Sequence, residues 1–149
     1  MKPILPILAL LATALIARPA LAETAEEQAN IVIVRAFYEA GLNQKDFAAA
    51  SRYLGDHYTQ HNPNAADGPA GFKEFLAYLR EKFPQSHSDI KEAFADGDRV
   101  ILHVHAVRTP GDRGSAIVDI FRLEGGKIVE HWDVVQAIPE TAANTNTMF

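Results

Sequence analysis

A chain of 149 residues has room for one compact domain with one core. It contains no cysteine, which excludes disulfides, thiolate nucleophiles and thiolate metal sites. Nineteen acidic residues outnumber fourteen Lys and Arg for a formal charge of −5, and no basic stripe stands out, which argues against a nucleic-acid partner.

The opening segment, MKPILPILALLATALIARPALA, has a positive start at Lys2, an apolar stretch from Ile4 to Ala17 and a small-residue cleavage site at Ala20-Leu21-Ala22. It is short for a membrane span, is interrupted by Pro6 and is followed by Arg18-Pro19. It reads as a cleaved signal peptide over residues 1–22, which leaves a domain over 23–149 and implies a secreted or periplasmic location. Cleavage after Ala22 removes Lys2 and Arg18 and no acid, so the formal charge becomes −7. Nothing amphipathic and Lys-rich then remains to suggest a membrane surface.

Thr24-Ala25-Glu26-Glu27 has the form of a capping box, and Ile31, Val34, Phe37 and Tyr38 recur at helical spacing, with Gly41 as the stop. A second short helix is predicted from Asp46 to Tyr53 or Leu54. Tyr58 to Pro63 reads as extended and ends in a turn-forming Asn-Pro. A third helix starts near Asp67-Gly68-Pro69, carries Phe72, Phe75, Leu76, Leu79 and Phe83 as its apolar stripe, and ends at Pro84. The period then changes to two. Ile90 to Ala95 and Arg99 to Arg108 are predicted strands around an Asp96-Gly97-Asp98 turn, and Thr109 to Gly114 is a loop.

The segment from Ala116 to Gln136 reads as a β-hairpin on a Gly125-Gly126 turn. Ile117, Asp119, Phe121 and Leu123 share one face of its first strand, and a lone carboxylate among bulky apolar neighbours needs a partner or a purpose. In an unbroken register Leu123 opposes Ile128, Phe121 opposes Glu130, Asp119 opposes Trp132 and Ile117 opposes Val134. His131, Asp133 and Arg122 then point to the other face. An indole beside Asp119 would disfavour its charged form and make the carboxyl a usable general acid or base. The order of elements gives an α+β fold: three N-terminal helices packed on a curved, mainly antiparallel sheet, a cone-shaped α+β barrel with room for an apolar small molecule.

QHNP at Gln60 to Pro63, DGDRV at Asp96 to Val100, DIFRLEGGKIVEHWDVVQ at Asp119 to Gln136 and the terminal NTMF resemble the SnoaL-like polyketide cyclase family. That family belongs to the nuclear-transport-factor-like superfamily, together with the ketosteroid isomerases. The resemblance implies ring closure by intramolecular aldol condensation without metal or cofactor. It implies an acid/base Asp in the strand before the glycine turn, here Asp119, assisted by a histidine on the preceding strand, here His105. Expected export is a departure, since polyketide ring closure is cytoplasmic work.

His103 and His105 share a strand face, and His105 is placed to polarise a carbonyl while Asp119 takes the α-proton. One of the pair is equally readable as a satisfied core histidine. His-x-His plus a carboxylate also begins a metal site, which His61 or His131 would complete; the resemblance points instead to no metal. His61 at the pocket mouth, His103, Trp132, Tyr58, Phe121 and Glu130 are the predicted substrate-binding residues. Val118, Ile120, Val129 and Val135 leave an apolar sheet face to cover, which predicts a homodimer. Two functional readings stand: a cofactor-free lyase or isomerase that abstracts a proton next to a carbonyl, and a periplasmic binding module with no chemistry of its own.

Overall fold

The computed structural model describes residues 23–149, and the predicted signal peptide lies outside them. Helix α1 (Ala25–Tyr38) opens on the predicted capping box: the Thr24 hydroxyl accepts from Glu27 N at 3.1 Å, and the Glu27 carboxylate accepts from Thr24 N at 2.7 Å. Gly41 does not stop the helix. The chain continues through a π turn, Glu39–Asn43, and a Cβ on Gly41 would meet the Phe72 ring at 2.9 Å. The missing side chain therefore lets the third helix approach, where a helix stop was predicted. Helix α2 (Phe47–Ala50) tightens into a 3₁₀ turn at Ser51–Tyr53 before strand β1 (Leu54–Gln60). Helix α3 (Gly68–Lys82) carries Pro69 in its first turn, but Asp67 does not cap it; the Asp67 carboxylate accepts from Gln60 N at 2.8 Å instead.

Strands β2 (His87–Asp96), β3 (Arg99–Val107), β4 (Ser115–Glu124) and β5 (Lys127–Ala137) form the predicted antiparallel meander. β1 adds a fifth strand, parallel to β5, and the sheet order is β1-β5-β4-β3-β2. The helices lie on its inner face, so the architecture is the mixed α+β one that the element order implied. Phe37 from α1 stacks on Phe72 of α3 at 5.0 Å and meets Phe121 of β4 edge-on at 5.8 Å. Val100, Leu102 and Val104 of β3 are completely buried beneath them.

The β4–β5 hairpin departs from the predicted register. Gly125 and Gly126 have φ of 54° and 74°, the left-handed pair of a type I′ turn, and Leu123 does oppose Ile128. Arg122, however, opposes Glu130, so Val129 is an extra residue in β5. Ile128 and Val129 are consecutive apolar residues that are 0% and 2% exposed. The bulge buries both, with Val129 packed against Gly55 of β1. Beyond it every side chain of β5 changes face: Phe121 opposes His131, Asp119 opposes Asp133 and Ile117 opposes Val135.

Trp132, which opposes Ile120, therefore lies on the outer face, where Val118 and Val134 are exposed. Val129 and Val135 do not belong to that exposed face, since one is buried and the other lines the interior cavity. The C-terminal Phe149 folds back over the outer face, its ring 5.2 Å from His103 and 4.8 Å from His105. Among the described residues no helix is long and apolar enough to cross a membrane.

Leu102 lies directly across the ladder from Asp119 and is fully buried. Leu102→Ala should lower the unfolding free energy by about 2–5 kcal/mol in urea denaturation. A loss below about 1 kcal/mol would mean that this layer is not part of a close-packed core.

Candidate active site

The helical layer and the inner face of the sheet enclose a cavity of about 830 Å³. Phe37, Leu42, Phe72, Phe75, Leu79 and Phe121 supply its apolar wall. Asp119 reaches it from the middle of β4 and is 4% exposed. Two donors hold the carboxylate. The Tyr38 hydroxyl, at the end of α1, donates to Oδ2 at 3.1 Å, and His131 Nε2 lies 3.0 Å from Oδ1.

The hydrogen bonds further along the chain fix the protonation of His131. The backbone N–H of Asn62 can only donate, and it meets Gln60 Oε1 at 2.9 Å. Gln60 is thereby oriented, and its amide nitrogen donates to the Tyr58 hydroxyl at 3.1 Å. His131 Nδ1 is 2.9 Å from the same Oε1, an acceptor, so Nδ1 carries a hydrogen. Nε2 and Oδ1 would repel at 3.0 Å as two bare lone pairs, so one proton lies between them. Asp119 and His131 share that proton across the hydrogen bond. Such a pair has a lone pair to accept a proton and a proton to give.

Asp133 stands opposite Asp119 on the same face, where two like charges would repel. Asn62 Nδ2 contacts both Asp133 oxygens, at 2.8 and 2.7 Å, and engages the second carboxylate. Burial, and then the neighbouring Asp119 charge, push the phenols of Tyr38 and Tyr58 above the usual tyrosine range. Both are therefore donors at neutral pH. Tyr38 spends its hydrogen on Asp119. Tyr58 accepts from Gln60, and its own hydrogen has no protein acceptor among the described residues.

Of the residues singled out from the sequence, Asp119, Tyr58 and Phe121 line the cavity. His105 does not approach Asp119. Asp119 shares the inner face with Leu102, so the odd-numbered β3 residues point outward, and His105 Nε2 bonds the carbonyl of Arg113 at 2.7 Å. His103 is also outside, 3.6 Å from Glu92. His61 alternates away from Gln60 and Asn62, stacks on Trp132 with centroids 4.5 Å apart and bonds Glu130 at 2.9 Å. Glu130 is held by Arg122 at 2.6 Å. His61, Trp132 and Glu130 thus form an outer cluster and leave the cavity to His131, Gln60, Asn62 and Tyr38. The sequence signal for the exchange was the adjacent Ile128-Val129 pair after the glycine turn, which a regular strand cannot bury together.

Asp119, His131 and Asp133 also offer ligand atoms within 4.8 Å of one another, which is a geometry that suits a cation. Those atoms are the ones the hydrogen bonds use, and a metal would have to displace the shared proton. Of the histidines that sequence spacing offered as ligands, only His131 belongs to this cluster; His103, His105 and His61 are on the far side of the sheet.

The family model for a SnoaL-like domain matches residues 34–131. Among solved structures the chain is similar to a candidate SnoaL-like polyketide cyclase from Jannaschia sp. CCS1, with TM-score 0.65, 17% identity, and coverage of 78% of this chain and 91% of that one. It is similar to a candidate polyketide cyclase from Acidithiobacillus ferrooxidans, with TM-score 0.61, 24% identity, and 72% and 87% covered. A nuclear-transport-factor-like protein of unknown function from Cytophaga hutchinsonii matches at TM-score 0.60 and 20% identity, with 72% and 89% covered. No curated protein matches the chain. The structural likenesses establish a shared fold.

Long-range proton–nitrogen correlation spectra should show a hydrogen on His131 Nδ1 at every pH at which the fold persists; an unprotonated Nδ1 would overturn the assignment. The outer cluster has its own pH signature. Hydrogen bonds from Arg122, and secondarily from His61, hold the Glu130 carboxyl below the usual glutamate range. A depressed folded-state value contributes stability that is fully present above the unfolded carboxyl's value of about 4.3 and is lost as pH falls through the folded one. Urea unfolding of wild type and Glu130→Gln should therefore differ at pH 7 and converge in acid.

Proposed function

The chain belongs to the SnoaL-like domain family, and from that premise we propose that it is a proton-transferring lyase or isomerase of the cyclase and aldol-condensation type. Its substrate is an apolar small molecule with an acidic C–H beside a carbonyl. The observation that carries this reading is the buried Asp119–His131 pair, holding one proton at 3.0 Å and opening onto an apolar cavity.

Asp119 takes the α-proton, and the C–H electron pair moves onto the carbonyl oxygen as an enolate. His131 and Tyr38 keep the carboxyl oriented and absorb the change in charge, while the free Tyr58 hydroxyl is the donor suited to the developing oxyanion. Return of the proton to another carbon completes an isomerisation. Attack of the enolate carbon on a second carbonyl of the same molecule forms the ring and an alkoxide, which takes the proton back from Asp119 and so regenerates the base. The apolar wall excludes water, which would quench the enolate and weaken each of these hydrogen bonds. His131 takes the supporting role that sequence resemblance gave to His105.

Export and pairing belong to the same reading. Cleavage after Ala22 would place the domain outside the cytoplasm, and the exposed Phe94, Val118 and Val134 on the outer face support a homodimer.

The test is exchange of α-protons of an aryl ketone such as indanone into deuterium oxide, followed by proton NMR. Wild type should catalyse the exchange, and Asp119→Asn, which keeps the shape and removes the base, should slow it by about 10²–10⁴-fold. Exchange that survives in Asp119→Asn would end the proposal. Tight binding of the ketone by a wild type that exchanges nothing would favour the binding-module reading.

A further inference from the structure

The cavity wall carries Arg108, a cation that forms no ion pair among the described residues. The ladder pairs His87 with Val107 and Ser88 with Ala106, so the next pair along, Ser86 and Arg108, shares the inner face with Ser88 and Ala106. Ser86, Ser88 and Arg108 all line the cavity. The Arg108 guanidinium lies 5.5 Å from the Phe75 ring centre and 5.9 Å from that of Phe83, and it forms no ion pair among the described residues.

Behind it is Lys45, 5% exposed, with a left-handed φ of 55°. Its ammonium donates only to carbonyls, those of Asn43 at 3.1 Å and Ser86 at 2.9 Å. Arg80 in turn donates to the Lys45 carbonyl. Burial, and then the Arg108 charge, hold the Lys45 ammonium below the usual lysine range, so the two cations are close enough to repel. The Ser86 hydroxyl is buried and has no hydrogen-bond partner among the described residues. Across the mouth, Glu140 is 4.0 Å from Arg113, and Asp112 also lines the cavity, but neither forms an ion pair with Arg108.

Lys45, a buried ammonium held only by carbonyls and with a second cation nearby, is uncompensated at a cost in stability in the ligand-free state. A bound anion would remove that cost. The guanidinium fork matches a planar carboxylate, and its aromatic bed holds it in place at the rim. We propose that Arg108, with Lys45 behind it, binds a carboxylate at one end of the substrate, so that the ligand is an apolar oxo acid. Its apolar body runs along Phe75, Phe72 and Leu79, and its carbonyl end reaches Asp119. The position of the carbonyl rests on the proton-transfer reading above; recognition of the carboxylate does not.

Calorimetric titration of the purified protein with 4-oxo-4-phenylbutanoate and with its primary amide tests this. Wild type should bind the acid at least about tenfold more tightly than the amide, the scale of one charge-assisted pair. Arg108→Gln, at an exposed position that leaves the core intact, should erase the preference and leave amide affinity unchanged. Asp119→Asn should keep the preference, so a failed catalytic reading and a failed carboxylate subsite give different results. Equal affinities for acid and amide in wild type would overturn the proposal, and so would a preference that survives in Arg108→Gln.

Discussion

Ile128 and Val129 are adjacent and apolar, and a regular strand would send one of them to water. Burying both forces one extra residue into β5, and that constraint sets the rest of the site. Past the bulge, His131 and Asp133 turn inward to meet Asp119, while Trp132 turns outward to stack on His61. A hydrophobic requirement of about one side chain, worth roughly 1.5–3 kcal/mol, thereby decides which polar groups share a cavity.

Those polar groups are then held by donors and acceptors that leave little choice. The Asn62 amide orients Gln60, Gln60 orients His131, and His131 meets Asp119. Each link is a hydrogen bond in surroundings of low dielectric, where an unpaired group would be costly. The network draws on the end of α1, the end of β1 and the middle of β4 and β5. No single element carries it, and the packing of Phe37 on Phe72 and Phe121 brings the elements together.

The cavity is electrically uneven as well as apolar. Asp119, Asp133 and His131 line one part of its wall and Arg108 another, while Lys45 is buried outside the lining. Under the proposed function, a ligand held at Arg108 would meet Asp119 and His131 in one orientation. The same fold in proteins under 25% identical supplies the scaffold, and the chemistry belongs to the side chains set on it.

Much of this was legible in the order of residues. Helical and strand periods, the capping box at Thr24, the glycine turn and the isolated carboxylate at Asp119 are local features, and local sterics and hydrogen bonding fix them. The family signature in the hairpin could be read directly as well. What no local rule supplied was the partner of Asp119. The choice between His105 and His131, the outward turn of Trp132 and His61, and the parallel pairing of β1 with β5 all depend on where the sheet had to bulge to close over the helices. Side chains on a strand alternate with period two, so one inserted residue reverses every assignment beyond it. The sequence determined that a buried acid would face a cavity, and only the tertiary packing decided which histidine it would meet there.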